Sequence, residues 1–126
     1  MENEKILILE EAEKPYNIRH RCFHFSKDVI NFIGDCKYDK IHFSIFDQLL
    51  RSATSIGANV VEGGSGSSKK DFIKFLLIAL KSSNETKYWL CIIRDTLVVN
   101  NIKLEELLKE ADELSKIIAS IILKAK

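Results

Sequence analysis

Several features that would place the chain in a familiar class are scarce or missing from its sequence. It has one proline and five glycines, three of them in a single turn, so little interrupts long helical segments. Its three cysteines are odd in number and form no C-x-x-C pair, which argues against a disulfide framework and against a zinc site. We therefore interpret the cysteines as small, buried or half-buried side chains of an intracellular protein, and we predict a cytoplasmic location.

Long apolar runs are missing as well. No segment approaches the roughly 18 to 20 apolar residues that are needed to cross a bilayer. The N-terminal run, residues 6–9, is too short and too closely flanked by acids to be a signal peptide, and we expect no membrane association. A length of 126 residues with 46% hydrophobic and 29% charged residues is instead typical of one soluble globular domain.

The net charge of +1 conceals an uneven distribution of charge along the chain. Residues 1–15 contain five acids and two lysines, which gives this segment a charge of −3 and leaves +4 for the remainder. We therefore divide the chain into an acidic N-terminal arm, residues 1–15, and a body, residues 16–126. A mildly basic body is compatible with an anionic partner, but it lacks the dense basic patch of a dedicated DNA-binding domain.

The spacing of the apolar residues predicts four amphipathic helices. These helices are expected at about residues 17–36, 44–62, 68–98 and 103–126, with Ser44 and either Ser67 or Ser68 as N-caps and residues 100–102 as a turn. Because the connections are short, consecutive helices should be antiparallel. The predicted fold is all-α, an up-down-up-down four-helix bundle.

The third predicted helix has an apolar surface about twice as wide as a helix of a monomeric bundle needs, which is a little over 100°. Large apolar residues, including Ile73 and Ile78, flank both sides of its central apolar row. We expect this helix to contact a second subunit as well as its own core, so the predicted assembly is a homo-oligomer. The alternative is a thick core that the N-terminal arm covers.

Six cations are candidate contacts to nucleic acid. They are Arg19 and Arg21 on the first helix, Lys69 at the start of the third, and the strip Lys70, Lys74 and Lys81 along it. The few cations of one subunit would bind weakly at physiological salt, whereas several copies in one oligomer could engage a single strand together. A solvated lysine face is the simpler alternative.

A second row of polar residues follows the apolar face of the second helix. Its members are Gln48, Arg51, Ser55, Asn59 and Glu62. In an antiparallel pair of helices, Arg51 would come within reach of Glu85 on the third helix. Because polar groups beside an apolar seam must find partners, we expect these residues and Glu85 to form a structural polar network that fixes the register of helices or subunits. Direct ligand binding is the alternative.

The sequence contains no recognisable catalytic constellation. It lacks H-E-x-x-H, a Walker loop and a nucleophile elbow, and the turn GGSGSSKK has neither the spacing nor the preceding strand of a phosphate loop. His20, His24 and Asp28 could share a helix face, but no further ligands accompany them, so we interpret them as solvated surface. We predict a non-enzymatic protein without a metal or cofactor.

Two segments of the chain resemble a known family. The first segment contributes Gln48, Arg51, Ala53, Ser55, Ile56, Asn59, Glu62 and Gly63; the second contributes Phe72, Ile78 to Lys81, and Glu85 to Leu90. Together they resemble the four-helix-bundle proteins encoded in intervening sequences of bacterial 23S ribosomal RNA genes. The resemblance implies a bacterial source, an all-α bundle and a ring-shaped homopentamer. It also implies kinship with the accessory variability determinant of diversity-generating retroelements, a basic pentamer that binds nucleic acid and works with a reverse transcriptase.

The chain departs from this family pattern in three ways. Leu50 and Arg51 stand where many relatives have paired arginines, the proline common before the second helix is absent, and the acidic arm is not part of the motif. With one cation fewer, we expect only weak binding of RNA or DNA, and a ribonucleoprotein is a candidate setting for it. The alternative function is an oligomeric adaptor or scaffold that binds a protein partner.

Overall fold

A computed structural model describes residues 17–65 and 68–126, and helices joined by short loops account for all the regular secondary structure of those residues, with no strand. The four α-helices are α1 (Ile18–Asp35), α2 (Phe43–Gly64), α3 (Lys69–Thr96) and α4 (Asn101–Ala125), and a short 3-10 turn, Lys40–His42, leads into α2. None of these helices is long and apolar enough to span a membrane. The acidic arm, residues 1–15, lies outside the described residues.

Polar side chains at the N-caps set where three of the helices begin. The side chain of Asn17 accepts hydrogen bonds from the first backbone N–H groups of α1. Ser68 does the same for α3, as predicted, and Asn100 for α4. The predicted turn at residues 100–102 is therefore wrong, because Asn100 is itself the cap and α4 begins at the next residue. The predicted cap Ser44 is also wrong, because α2 continues directly from the 3-10 turn and begins at Phe43.

Side-chain contacts show that neighbouring helices run antiparallel. Successive contacts advance along one helix while they go back along the next. Between α2 and α3, Ser52 contacts Thr86 and Ser55 contacts Ser82. Between α3 and α4, Lys87 pairs with Asp112 and Arg94 with Glu105. Between α1 and α2, a Cβ placed on Gly57 would lie 3.1 Å from the Cβ of Cys22. The all-α prediction is confirmed, and the four helices surround one core.

The core is built from one apolar stripe on each helix. Its largest fully buried side chains include Phe25 of α1, Phe46, Leu49 and Ile56 of α2, Leu76, Leu90 and Ile93 of α3, and Leu104, Leu114 and Ile118 of α4. These positions recur every three or four residues, the spacing that places side chains on one face of a helix. Burying each side chain fully is worth about 1.5 to 3 kcal/mol, so the core is the main source of stability.

The wide apolar surface predicted for α3 is only partly used within one chain. The apolar residues in the middle of this surface, Leu76, Ala79 and Leu90, are buried, whereas the apolar residues on either side of them are not fully covered. Leu77 remains 42% exposed and Ile78 37% exposed on the outer side of the helix. The described part of the chain therefore leaves apolar surface on α3 open to solvent.

Candidate nucleic-acid interface

The lysines of α3 form a strip along the outer side of the bundle. Lys70, Lys74 and Lys81 follow one another at intervals of four and seven residues, which keeps them on the helix face opposite the core. All three are exposed, as is Lys69 at the start of the helix. Among the described residues, no carboxylate forms an ion pair with any of these four lysines, so their charges face solvent. We call Lys70, Lys74 and Lys81 the α3 strip.

The two candidate arginines of α1 have different surroundings. Arg19 is exposed, and its guanidinium lies over the last turn of α2, where a Cβ added to Gly64 would be 2.8 Å from Arg19 Nη2. Arg21 instead donates two hydrogen bonds to Glu110 of α4, with Nη2–Oε1 at 2.6 Å and Nε–Oε2 at 3.0 Å. A bidentate pair of this kind uses the charge of the arginine to join α1 to α4. Arg19 is thus available to a ligand, whereas Arg21 is engaged in the bundle.

The electrostatics of Arg21 agree with its structural role. Its hydrogen bonds to Glu110 are the main cause that raises the pKa of the guanidinium, and burial opposes this rise. Glu113, on the next turn of α4, lies 3.8 Å from the same arginine. An anion approaching Arg21 would meet both carboxylates, so this residue is the least suitable of the six candidates.

The predicted polar network forms around Ser55 and Asn59. The hydroxyl oxygens of Ser55 and Ser82 are 2.9 Å apart across the α2–α3 seam, and the Asn59 amide donates to both the carbonyl and the hydroxyl of Ser55. Gln48 is half-buried and Glu62 is exposed, and the side chain of neither forms a hydrogen bond with a described residue, although the backbone carbonyl of Glu62 accepts from Ser65 Oγ. The network is therefore smaller than the predicted row.

The predicted pairing of Arg51 with Glu85 is wrong within the chain. The Arg51 side chain is 74% exposed, and its Nε donates to Asp47 Oδ2 at 3.0 Å, one turn earlier on α2. Glu85 accepts a hydrogen bond from Trp89 Nε1 at 3.0 Å, one turn later on α3. The row of α2 that faces α3 contains Ser52 and Ser55, and Arg51 lies about 100° around the helix from Ser52.

Two buried hydroxyl groups were missed by the sequence reasoning. Thr86 Oγ1 lies 3.0 Å from Ser52 Oγ in the α2–α3 seam, and both side chains are buried. Ser52 donates to the backbone carbonyl of Leu49, and the single hydroxyl proton of Thr86 can be donated either to Ser52 Oγ or to the backbone carbonyl of Ser82. One sequence feature could have revealed this pair. Each helix has a serine or threonine in its apolar row, and the two residues lie level with each other when the helices are antiparallel.

The possible metal ligands of α1 do not form a binding site. His20 is buried, so its prediction as solvated surface is wrong, and its ring lies edge-on to that of His24 with the centroids 4.4 Å apart. Asp28 is exposed. Within residues 17–65 and 68–126, no group of three or more His, Cys, Asp or Glu side chains could hold a metal ion.

A hollow of about 410 Å³ separates the second half of α1 from the start of α4. Its apolar lining includes Phe32, Cys36, Val99 and Leu107, and its charged lining includes Asp28, Asp35, Lys103 and Glu106. With Lys37 and Glu110, which also line it, the hollow has four acids against two lysines. An anionic ligand such as nucleic acid would be repelled there, so the hollow is a packing feature rather than part of the candidate interface.

Fold and surface together define the class of this protein: a small all-α protein of four helices with an exposed row of lysines on its third helix. The chain belongs to the family of 23S rRNA-intervening sequence proteins, whose model matches residues 14–120. A solved structure from Bacteroides thetaiotaomicron, described as a protein with unknown function from the S23 ribosomal protein family, is 34% identical, with a TM-score of 0.77. The similarity covers 83% of this chain and 97% of that one. No curated protein shows significant similarity.

Proposed function

We propose that the protein is a non-enzymatic homo-oligomer that binds RNA or DNA weakly, with the α3 strips of several subunits contacting one nucleic acid together. The exposure of Lys70, Lys74 and Lys81, without a carboxylate partner among the described residues, is the observation that carries this proposal. Other cations of the body, such as Lys87 and Arg94, already have carboxylate partners. A cation without a partner can bind a phosphate without first breaking an ion pair.

The spacing of the strip fits contacts with a phosphate backbone. Lys81 lies eleven residues after Lys70, which corresponds to about 16 Å of helix and is enough for contacts to two or three phosphates. Three such contacts on a single strand would lose roughly 20-fold in affinity between about 50 and 200 mM salt, and six would lose several hundred-fold. The steepness of the salt dependence therefore reports how many subunits bind at once.

Assembly through α3 is the second part of the proposal. Ile78 and Leu77 remain partly exposed beside the strip, and covering them against another subunit would remove apolar surface from water. A homopentamer is the assembly that the family resemblance implies. Several strips on one ring would raise the effective concentration of lysines along a bound strand without any new kind of contact.

Electrophoretic mobility shift with single-stranded and duplex RNA and DNA, at about 50 and 200 mM salt, tests binding. We expect the triple variant Lys70→Glu, Lys74→Glu, Lys81→Glu to lose binding. The matched control is Lys37→Glu, Lys40→Glu, Lys109→Glu, which makes the same change in net charge at three exposed lysines outside the strip. Binding that is equal for the wild type and both triple variants would remove the strip as the interface.

An adaptor that binds a protein partner is the second candidate function, and one surface favours it. At the end of the bundle where α3 meets α4, Val98 is 99% exposed and Ile102 is 76% exposed, and Ile41 before α2 is 81% exposed. Exposed apolar residues that cluster in this way mark protein–protein contacts. If the wild type binds no nucleic acid even at low salt, this function replaces the first.

A further inference from the structure

The positive charge of the body is concentrated at one end of the bundle. The antiparallel arrangement brings the first turns of α1 and α3 and the last turns of α2 and α4 to that end. Its cations without an acidic partner among the described residues are Arg19, Lys69, Lys70, Lys74 in the second turn of α3, Lys124 and Lys126, and we call these six residues the basic end. Arg21 also lies in the first turn of α1, but it is paired with Glu110. Only two acids, Glu62 and Asp71, belong to the same turns, whereas the remainder of residues 16–126 contains ten cations and eleven acids.

The cations of the basic end have no acidic partners of their own. All six side chains are exposed, and none forms an ion pair with an acid in the part of the chain that the structure describes. Crowding like charges at one end raises the local potential, and an anion that docks there relieves the repulsion. The basic end is therefore a surface suited to a flexible acidic segment or to a polyanion.

The acidic N-terminal arm is joined to the body at this same end. Residue 17 caps α1, and Arg19 lies in the first turn of that helix, so residues 1–15 connect to the chain beside the basic end. The arm contains Glu2, Glu4, Glu10, Glu11 and Glu13 against Lys5 and Lys14. Fifteen residues can span up to about 50 Å, and the end of a four-helix bundle is only about 20 Å across, so every cation of the basic end is within reach.

We propose that the acidic arm occupies the basic end of its own bundle and competes there with nucleic acid. The competition rests on the proposed function, because Lys70 and Lys74 belong to both the α3 strip and the basic end; the docking of the arm does not. Single exposed ion pairs are weak, and salt screens them, but the covalent tether holds the arm at an effective concentration on the order of millimolar. A polyanion must displace this arm, so the arm weakens binding most at low salt.

Docking of the arm can be tested in the full chain without nucleic acid. A carbodiimide that joins carboxylates to amines only where they touch, followed by peptide mass spectrometry, should link arm glutamates to Lys69, Lys70, Lys74, Lys124 or Lys126. Lys27, Lys40 and Lys103 are equally exposed controls away from that end. We expect these links to decline several-fold when the salt is raised to about 0.5 M, where screening acts within about 4 Å. Links spread evenly over all lysines, or unchanged by salt, would overturn docking.

Competition requires a second comparison, because removing any five negative charges favours binding of a polyanion. The arm variant changes Glu2, Glu4, Glu10, Glu11 and Glu13 to Gln. The matched control neutralises five exposed acids outside the basic end, Asp28→Asn, Asp35→Asn, Asp39→Asn, Glu105→Gln and Glu106→Gln. In mobility shift at about 50 mM salt, we expect the arm variant to bind roughly three- to tenfold more tightly than the control, with the difference vanishing at higher salt.

The outcomes separate this proposal from the proposed function. If arm links appear but no variant binds nucleic acid, the arm docks and the nucleic-acid function is wrong. If nucleic acid binds and the arm variant equals its matched control, the function stands and the competition is wrong. If the links to the basic end are missing, docking of the arm is wrong whatever binds.

Discussion

At the scale of single residues, the α2–α3 seam depends on hydroxyl groups inside an otherwise apolar contact. Ser52 and Thr86 are buried with their oxygens 3.0 Å apart, Ser52 donates to the carbonyl of Leu49, and Thr86 can donate to Ser52 or to the carbonyl of Ser82. Their contact favours the register of α2 and α3 that brings the two hydroxyls together. Ser55 and Ser82 repeat the arrangement at a half-buried position about one turn away.

We therefore expect Ser52 and Thr86 to be energetically coupled. Ser52→Ala and Thr86→Val should each lower the free energy of unfolding by about 1 kcal/mol, and the double variant should cost about 0.5 kcal/mol less than the sum. Chemical denaturation of the four proteins measures this cycle. The same cycle with Arg51→Ala and Glu85→Ala is the control and should be additive, because these residues have other partners. Strict additivity at Ser52 and Thr86 would show that their contact is incidental.

The thiol of Cys22 should make the stability of the protein depend on alkaline pH. Burial raises the pKa of this thiol to about 12, whereas an unfolded cysteine titrates near 8.5. Above about pH 8.5 the unfolded chain releases a proton that the folded chain retains. The contribution of this thiol to the free energy of unfolding is therefore full below about pH 8.5 and declines until about pH 12. Denaturation midpoints should decline less steeply in Cys22→Ala across this window. Equal slopes would contradict a buried thiol.

The failure of the Arg51–Glu85 prediction has a geometric cause. Periodicity in the sequence placed Arg51 level with residues 79–83 of α3, whereas the contact of Ser52 with Thr86 places it about one turn later. Periodicity does not settle which of two adjacent polar rows faces the neighbouring helix. A difference of one residue rotates a side chain by about 100°, and this is enough to turn Arg51 toward solvent and Asp47.

At the scale of elements, a close approach between α1 and α2 depends on a glycine. A Cβ on Gly57 would lie 3.1 Å from Cys22 Cβ and 3.5 Å from the backbone carbonyl carbon and oxygen of the same residue. These atoms belong to the α1 backbone or are attached directly to it, so they cannot move aside as a flexible side chain can. The absence of a side chain at Gly57 sets the distance between the two helices.

Gly57→Ala should accordingly destabilise the protein although alanine is the better helix former. Alanine gains about 1 kcal/mol of helix propensity, and overpacking a contact of this kind costs about 1 to 3 kcal/mol, so we expect a net loss near 1 kcal/mol. Gly34→Ala is the matched control, because nothing lies within 4 Å of its added Cβ, and it should stabilise the protein by up to about 1 kcal/mol. Thermal denaturation compares the two. A stabilising Gly57→Ala would show that α1 can shift.

The sequence located all four helices but not every detail of their ends. Apolar spacing placed the ends of all four helices to within about two residues because each has a regular buried stripe. The start of α2 was misplaced because the 3-10 turn leads directly into the helix and no side chain caps it. Helix ends depend on a few local hydrogen bonds, and Asn100 could serve equally well in a turn or as a cap.

At the scale of the whole molecule, the partly exposed flank of α3 predicts assembly. Ile78 is 37% exposed and points away from the core, so Ile78→Glu should break a subunit contact and leave helical content nearly unchanged. Light scattering at micromolar concentration should show an oligomer for the wild type and smaller species for the variant. Ile73 is a poorer probe than the sequence suggested, because it packs partly against the core of its own chain.

Ser120→Glu provides the control for this prediction, since it introduces the same charge at an exposed, neutral position of α4. It should leave the oligomer intact. A wild type that scatters light as a monomer would exclude assembly through α3, and circular dichroism of Ile78→Glu would reveal whether a loss of assembly is merely a loss of folding.

The hollow between α1 and α4 has a consequence for how the native state opens. Where two helices leave about 410 Å³ between them, less apolar surface is buried than in a close-packed seam, so separating them exposes less of it to water. Amide protons in the second half of α1 should therefore exchange with deuterium through a local opening that responds weakly to denaturant. Amides in the middle of α3, which packs against both α2 and α4, should exchange only when the whole bundle unfolds. The protein would then consist of a slowly exchanging unit, α2 to α4, and a more labile α1.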